Sequence, residues 1–147
     1  MSTVHRVTVD TSVAVKWFFD EPYSDQALRL RELFQTGIYS PLGPDLIYPE
    51  FANVVWKRVA FEGLDPGDGV AVLAAFASIP FEIVPSLSLL ATAYRLGVEH
   101  RHSIYDALFL ASSLEKDADF VTADEPLYQA VHSRFPRVRW LATWPAG

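Results

Sequence analysis

The chain has 147 residues, 50% of them hydrophobic, with no cysteine and a formal net charge of −6. This length predicts a single domain over residues 1–147 whose core needs no cross-links. The lack of cysteine excludes a disulfide scaffold, a thiolate metal site and a cysteine nucleophile. The excess of acids argues against a nucleic-acid-binding surface, because contacts with phosphate normally need basic side chains.

The first residues predict no secretory signal, and the hydropathy of the sequence predicts no membrane span. Met1 to Arg6 contain no long apolar segment, and no apolar run approaches the ~18 residues that a membrane span requires. The absence of cysteine also fits a reducing compartment. We therefore expect a cytoplasmic protein that has no membrane partner.

Strand and helix patterns alternate along the chain, without an internal repeat or a linker. Short runs of β-branched and apolar residues predict strands at 4–9, 38–40, 81–84, 120–122 and 138–141. Apolar stripes and end signals predict helices at 11–19, 24–37, 45–62, 66–77, 86–97, 103–114 and from 124. Within this pattern, Ser24 and Ser86 are predicted helix caps, Gly63 and Gly97 are predicted helix ends, and Pro41 marks a predicted loop. Strands separated by helices of this length predict an α/β fold with a central parallel sheet and helices on both faces.

Four acids stand where such a fold collects functional groups. Asp10 ends the first predicted strand and Asp124 follows the strand at 120–122, so both belong to the carboxyl edge of the sheet. Glu50 and Asp106 lie near the starts of two helices that can aim at the same edge. Asp106 also lies within an apolar stretch, where a charge is rarely buried without a partner or a metal.

Clustered carboxylates repel one another, and a divalent cation removes that penalty. Oxygen ligands suit Mg²⁺ or Mn²⁺, and water bound to such an ion can attack phosphorus. Without the four acids, 14 acids remain against 12 bases, which leaves the rest of the chain nearly neutral. The competing interpretation is structural: Asp10 and Asp124 also suit helix N-caps, and Glu50 suits a solvated helix face.

Four motifs in this sequence resemble those of the PIN-domain nucleases, and among them the VapC-type toxins of toxin–antitoxin pairs. The resemblance covers nearly the whole chain, from residue 4 to residue 141. The motifs are Val9-Asp10-Thr11-Ser12, Glu50-Phe51-Ala52-Asn53, Tyr105-Asp106-Ala107 and Thr122-Ala123-Asp124.

The resemblance implies a three-layer PIN-like fold and cleavage of RNA with Mg²⁺, for which Mn²⁺ can substitute. Carried over by motif, Asp10 and Asp106 are the expected metal ligands, and Asp124 and Glu50 complete the acidic site directly or through water. Four further residues are expected to orient carboxylates or waters: Thr11, Ser12, Asn53 and Thr122. The resemblance also implies an RNA substrate, a cognate antitoxin protein and a homodimer.

Other functions remain open from the sequence alone. A related acidic fold acts on DNA or in RNA processing, and a catalytically silent interaction domain is a further alternative. His100 and His102, and separately Arg134, Arg137 and Arg139, are either phosphate contacts or ordinary surface residues. The aromatic run 17–19 is either core or an interface.

Overall fold

The computed structural model describes residues 4–145, so the ends of the predicted single domain lie outside the described residues. A sheet of five strands runs through its centre, and every neighbouring pair of strands is parallel. The strands are β1 (His5–Val9), β2 (Tyr39–Pro44), β3 (Glu82–Val84), β4 (Asp119–Thr122) and β5 (Val138–Trp140).

Seven α-helices within residues 4–145 surround the sheet, which confirms the predicted three-layer α/β fold. They are α1 (Thr11–Ala14), α2 (Ser24–Gln35), α3 (Ile47–Glu62), α4 (Pro66–Ala77), α5 (Ser86–His100), α6 (Ile104–Glu115) and α7 (Glu125–Val131). None of these helices is long and apolar enough to cross a bilayer.

The order of strands across the sheet is β3-β2-β1-β4-β5. The chain starts at the centre, builds one half outward through β2 and β3, and then returns to build the other half. The direction of winding therefore reverses between β1 and β4. In a parallel α/β sheet this reversal opens a crevice at the carboxyl ends of the two strands, and ligands bind in such crevices.

The core fills the space between the sheet and the helices. Phe120 of β4 and Phe51 of α3 are fully buried, and Phe109 of α6 is almost completely buried. Helix α6 contacts β1, β2 and β4, so it lies across the middle of the sheet. The seven residues that follow Asp106 in this helix, 107–113, are all buried, which anchors the helix that carries this acid.

The second strand is longer than predicted. It continues from Tyr39 through both prolines to Pro44, where a loop was expected. Pairing with β3 begins only at Leu42, and Pro44 is the last residue of the strand. Pro41 is in register with Val7 of β1 but precedes the first residue that pairs with β3, and Pro44 ends the strand. Both prolines therefore lie at the limits of the pairing with β3, where a strand tolerates proline.

Several predicted helix ends were wrong. Ser24 and Ser86 are the first residues of their helices and not the caps, and the Ser24 hydroxyl instead donates to the Phe19 carbonyl. Helix α5 continues past Gly97 to His100. The glycine is explained by packing, since the backbone of His102 approaches it closely and a Cβ at Gly97 would lie 2.9 Å from the His102 carbonyl oxygen. Gly63 does end α3 as predicted, in the left-handed conformation.

Candidate active site

The crevice between β1 and β4 positions two of the four predicted acids. Val9 and Val121 are direct partners in the sheet, so the two strands end side by side. Asp10 follows β1 and caps α1, and Asp124 lies two residues after β4 and caps α7. The alternative role of these residues as N-caps is therefore real, and it is compatible with a second role because each carboxylate also faces the crevice.

The other two acids reach the same crevice from helices. Glu50 lies in the first turn of α3 and Asp106 in the first turn of α6. A cavity of about 300 Å³ forms where these helices meet the sheet edge, and all four carboxylate residues line it. The complete lining is Asp10, Thr11, Ser12, Val15, Glu50, Asn53, Val54, Asp106, Phe109 and Asp124.

Two hydroxyl groups hold the most buried acid. Ser12 donates to Asp10 Oδ1 and Thr122 donates to Asp10 Oδ2, each across 2.5 Å. The same hydroxyls accept hydrogen bonds from the β4–α7 connection, Ser12 from the Ala123 amide and Thr122 from the Asp124 amide. These four bonds tie the end of β1 to the end of β4 and fix the direction of the Asp10 carboxylate.

A third hydroxyl acts on Glu50. The Thr11 side chain donates to Glu50 Oε1 across 2.7 Å, which connects α1 to α3. Thr11, Ser12 and Thr122 therefore make the contacts that an orienting role requires. Asn53 lines the cavity, but among the described residues its side chain forms no hydrogen bond to a carboxylate or to backbone.

Burial and neighbouring charge raise the pKa of two acids in the crevice, Asp10 and Glu50. Asp10 is only 6% exposed. Its pKa is raised to about 7, mainly by desolvation and in smaller part by the charges of Asp124 and Asp106, although the hydrogen bonds from Ser12 and Thr122 oppose the increase. Desolvation also raises the pKa of Glu50, which the Thr11 bond lowers and the Asp106 charge raises. The site therefore carries a repulsion that a cation would relieve.

The donor set fits a hard divalent cation. Its side chains supply carboxylate oxygens around one open cavity, and oxygen ligands are what Mg²⁺ and Mn²⁺ prefer. No group of three acidic or histidine side chains within residues 4–145 is gathered closely enough to hold an ion as the side chains stand. Ligation by three of them therefore requires carboxylates to turn further into the cavity.

His102 is a neighbour of the acids whose role the sequence left open. The ring of His102 lies four residues before Asp106, and its Nδ1 is 3.4 Å from Asp106 Oδ2. The spacing of four residues across the start of a helix is the signal that points to this pair. His100 differs, because its ring is largely buried against Phe135. Neither histidine is part of the cavity lining.

The three arginines near the C-terminus do not line the acid cavity. Arg134 pairs with Glu99, and Arg137 pairs with Asp117 and Asp119. Arg139 donates to the Pro145 carbonyl. The structure therefore favours the alternative that these arginines form surface contacts within the protein.

The aromatic run after Asp10 belongs to the core. Trp17 is buried and its indole N–H donates to the Ala27 carbonyl, while Phe18 packs edge-on against Phe51. Arg58 covers the ring of Phe19 with its guanidinium 4.0 Å from the ring centre. Of the two alternatives for these residues, core packing is the one observed.

The fold and the cavity define a class of protein: a parallel α/β domain with an acidic crevice at its topological switch point. The sequence profile of the PIN domain matches residues 7–132. The chain therefore belongs to the PIN domain family, whose members are nucleases.

Several solved structures share this fold. PAE2754 from Pyrobaculum aerophilum aligns with a TM-score of 0.64 and 21% identity, over 87% of each chain. VapBC2 from Rickettsia felis, bound to a DNA fragment from its promoter, aligns with a TM-score of 0.64 and 17% identity over 92% of this chain and 96% of that chain. The Mycobacterium tuberculosis toxin VapC20, which cleaves the sarcin–ricin loop, aligns with a TM-score of 0.63 and 18% identity over 90% of this chain and 98% of that chain. No curated protein matches the sequence significantly.

Proposed function

We propose that this PIN domain is a metal-dependent endoribonuclease that hydrolyses RNA phosphodiester bonds at the cavity of the four acids. The observation that carries the proposal is the convergence of Asp10, Glu50, Asp106 and Asp124 on one cavity from four distant stretches of sequence. Because these carboxylates repel one another, a bound cation would stabilise the site, and Mg²⁺ or Mn²⁺ suits the carboxylate donors.

In this proposal, Asp10 and Asp106 hold the metal, and Glu50 and Asp124 complete the site directly or through water. A bound divalent ion supplies an acidic water for attack on phosphorus and stabilises the leaving oxygen. Ser12 and Thr122 fix the Asp10 carboxylate through their hydroxyl bonds, and Thr11 fixes Glu50. Val15, Val54 and Phe109 form the apolar part of the cavity wall.

The direct test is cleavage of single-stranded RNA by the purified chain with Mg²⁺, with Mn²⁺ and with EDTA. We expect RNA fragments with either metal and none with EDTA. Single-stranded and duplex DNA serve as competing substrates, because a DNA nuclease is the alternative of the same class. Cleavage of RNA that persists in EDTA, or cleavage of DNA alone, would overturn the proposal.

We further propose that the chain is the toxin of a type II toxin–antitoxin system and acts in the cytoplasm. The likeness to VapBC2 and VapC20 supports this, and so does the chemistry of the site. A cavity lined by four carboxylates and no lysine or arginine is complementary to a cation, so an antitoxin segment that inserts an Arg or Lys would block it. Such a cation competes with the metal, and high Mg²⁺ should therefore weaken inhibition.

Expression in bacteria tests the toxin role. The chain alone should arrest growth, and its cognate antitoxin should restore growth when both are produced together. Harmless expression of a folded, active ribonuclease with no antitoxin present would contradict the toxin role while leaving the ribonuclease proposal intact.

We also propose a homodimer, formed through the outer face of α5. Its residues Leu87, Leu90, Tyr94 and Val98 are all exposed and recur at helical spacing, so they form one apolar stripe. Light scattering should show a dimer at micromolar concentration, and Tyr94→Glu should shift it to a monomer. A monomeric wild-type chain at high micromolar concentration would contradict this proposal.

A further inference from the structure

A shallow cleft adjoins the acid cavity on one side. Its volume is about 220 Å³, and Leu46, Pro49 and Tyr105 form the part of its wall that it does not share with the acid cavity. Glu50 and Asn53 line both the cleft and the acid cavity, so the two spaces share a border. Only the side chains of Glu50 and Asn53 therefore separate a molecule in the cleft from the proposed site of phosphodiester hydrolysis.

The most exposed part of this wall is Tyr105, whose residue is 62% exposed. It lies in the first turn of α6, between the half-buried Ile104 and Asp106. The ring therefore stands in solvent directly beside a proposed catalytic acid, although the next residues of the helix are buried. Core packing does not account for a large aromatic side chain in this position.

The cleft has the wrong chemistry for phosphate. Leu46, Pro49 and Tyr105 carry no positive charge, and the only charged residue in the wall is the acid Glu50. An aromatic face, two apolar side chains and one amide suit a flat, uncharged ring that can stack and form hydrogen bonds at its edge. The Asn53 amide can both donate and accept such bonds.

We propose that the cleft binds one nucleobase of a single-stranded RNA, stacked on the ring of Tyr105, beside the phosphodiester bond that the four acids hydrolyse. This inference rests on the proposed ribonuclease function and adds a subsite to it. Binding at the base holds the neighbouring phosphate at the acid cavity, and it restricts the substrate to strands whose bases are unpaired. Because every base has a stacking face, Tyr105 contributes affinity, and Asn53 is placed to discriminate between bases.

The test compares variants of Tyr105 with changes in the RNA itself. Replacing a stacked aromatic ring with alanine weakens binding by roughly 5- to 100-fold. We expect Tyr105→Ala to lower kcat/KM for a short single-stranded RNA by this factor, and Tyr105→Phe to stay within about twofold because it keeps the ring. Phe61→Ala is the matched control, since Phe61 is 76% exposed and lies at the far end of α3.

An RNA that lacks one base next to the mapped cleavage site completes the experiment. If that base stacks on Tyr105, its removal lowers kcat/KM for the wild type by the same factor and has no further effect on Tyr105→Ala. Equal activity of Tyr105→Ala and the wild type, or losses that add in full, would overturn the subsite. Circular dichroism melting of each variant separates these outcomes from unfolding.

A binding measurement keeps this inference distinct from the proposed function. Fluorescence anisotropy with labelled oligouridine in Ca²⁺ reports RNA binding whether or not cleavage occurs. Tyr105-dependent binding together with no RNA cleavage in Mg²⁺ or Mn²⁺ would support the subsite and refute the ribonuclease. Cleavage that does not depend on Tyr105 or on the neighbouring base would support the ribonuclease and refute the subsite.

Discussion

Acids lie at both ends of the central strands β1 and β4, but their surroundings differ in charge. At the amino end, Asp119 binds His5 and Arg137, with 2.8 Å between the nearest atoms of each pair. At the carboxyl end, the cavity brings four acids together without a lysine or arginine in its lining. The acid at the amino end of these strands is therefore paired with basic side chains, whereas the four acids at the carboxyl end share a cavity whose lining has no lysine or arginine.

The pKa values follow this difference. Burial tends to raise the pKa of Asp119, but the hydrogen bonds and charges of Arg137 and His5 outweigh burial and lower it below its ordinary value. At the other end, burial and neighbouring acids raise the pKa of Asp10 to about 7. An uncompensated cluster costs stability, and a protein that retains such a cluster is expected to use it.

The largest difference between the two ends should appear in catalysis. We expect Asp10→Asn and Asp106→Asn each to lower RNA cleavage by at least about a hundredfold, as removal of a charge-stabilising group does in other active sites. Asp119→Asn is the matched control, since it removes a half-buried acid from the other end of β4 and should retain activity. Initial rates with Mg²⁺ and thermal melts of all three variants make the comparison.

An Asp10→Asn protein that is unfolded at ordinary temperature would show that Asp10 has a structural role instead. Loss of activity in Asp119→Asn equal to that in Asp10→Asn would remove the distinction between the two ends.

The second difference concerns stability as a function of pH without metal. Between the ordinary pKa of 3.8 and about 7, Asp10 ionises in the unfolded chain while it keeps its proton in the folded chain. Rising pH therefore favours unfolding over this range, by up to about 4 kcal/mol, and the cost is constant above it. Asp10→Asn removes this cost, so it should stabilise the protein more at pH 8 than at pH 4.

Urea unfolding of the wild type and Asp10→Asn in EDTA at several pH values measures this difference. A stability difference that does not change with pH would show that the Asp10 carboxyl titrates normally in the folded protein.

A third prediction concerns two fully buried threonines on neighbouring strands. The Thr122 hydroxyl holds Asp10, whereas the Thr8 hydroxyl has no hydrogen-bond partner among the described residues. Thr122→Val should lower cleavage or metal affinity by about 10- to 100-fold, as loss of a group that orients a ligand does. Thr8→Val should keep full activity and should not destabilise the fold, because it removes an unsatisfied buried hydroxyl.

Steady-state cleavage at a series of Mn²⁺ concentrations measures both variants. Equal behaviour of the two valine variants would show that the Thr122 bond does not matter to the site.

The smallest effect is expected at the compensated end. Arg137 is 44% exposed in its side chain, so Arg137→Gln should lower the free energy of unfolding by less than about 1 kcal/mol, with no loss of cleavage. Because the pKa of Asp119 is lowered in the fold, this contribution is present above the ordinary pKa and is lost as pH falls through the folded value. Urea unfolding at pH 7 and at pH 3 checks the sign, and a larger loss at pH 3 would contradict it.

Much of the fold was predictable because it depends on local patterns. The β-branched run before Asp10 and the buried run 120–122 form strands as predicted, and Gly63 ends its helix as predicted. The errors have tertiary causes. Gly97 looks like a helix end, but its missing side chain admits a neighbouring backbone segment, and only the packed fold shows this.

The four acids were likewise predictable only in part. Their motifs and order along the chain identified them as candidates, since parallel strands separated by helices bring strand ends to one edge. The partners of each carboxylate could not be read from the sequence. The bond from Thr122 to Asp10 joins residues 112 positions apart, and the bond from Thr11 to Glu50 joins residues 39 positions apart.

The sequence by itself determined the alternation of strands and helices, the family and the four acids, because these depend on residue type and spacing along the chain. The tertiary structure decided which surfaces exist. It buried Trp17, paired Arg134 and Arg137 with acids, and left Tyr105 exposed beside the acid cavity. The physical reason is that burial and ion pairing depend on which elements pack together, and the spacing of residues along the chain does not specify those contacts.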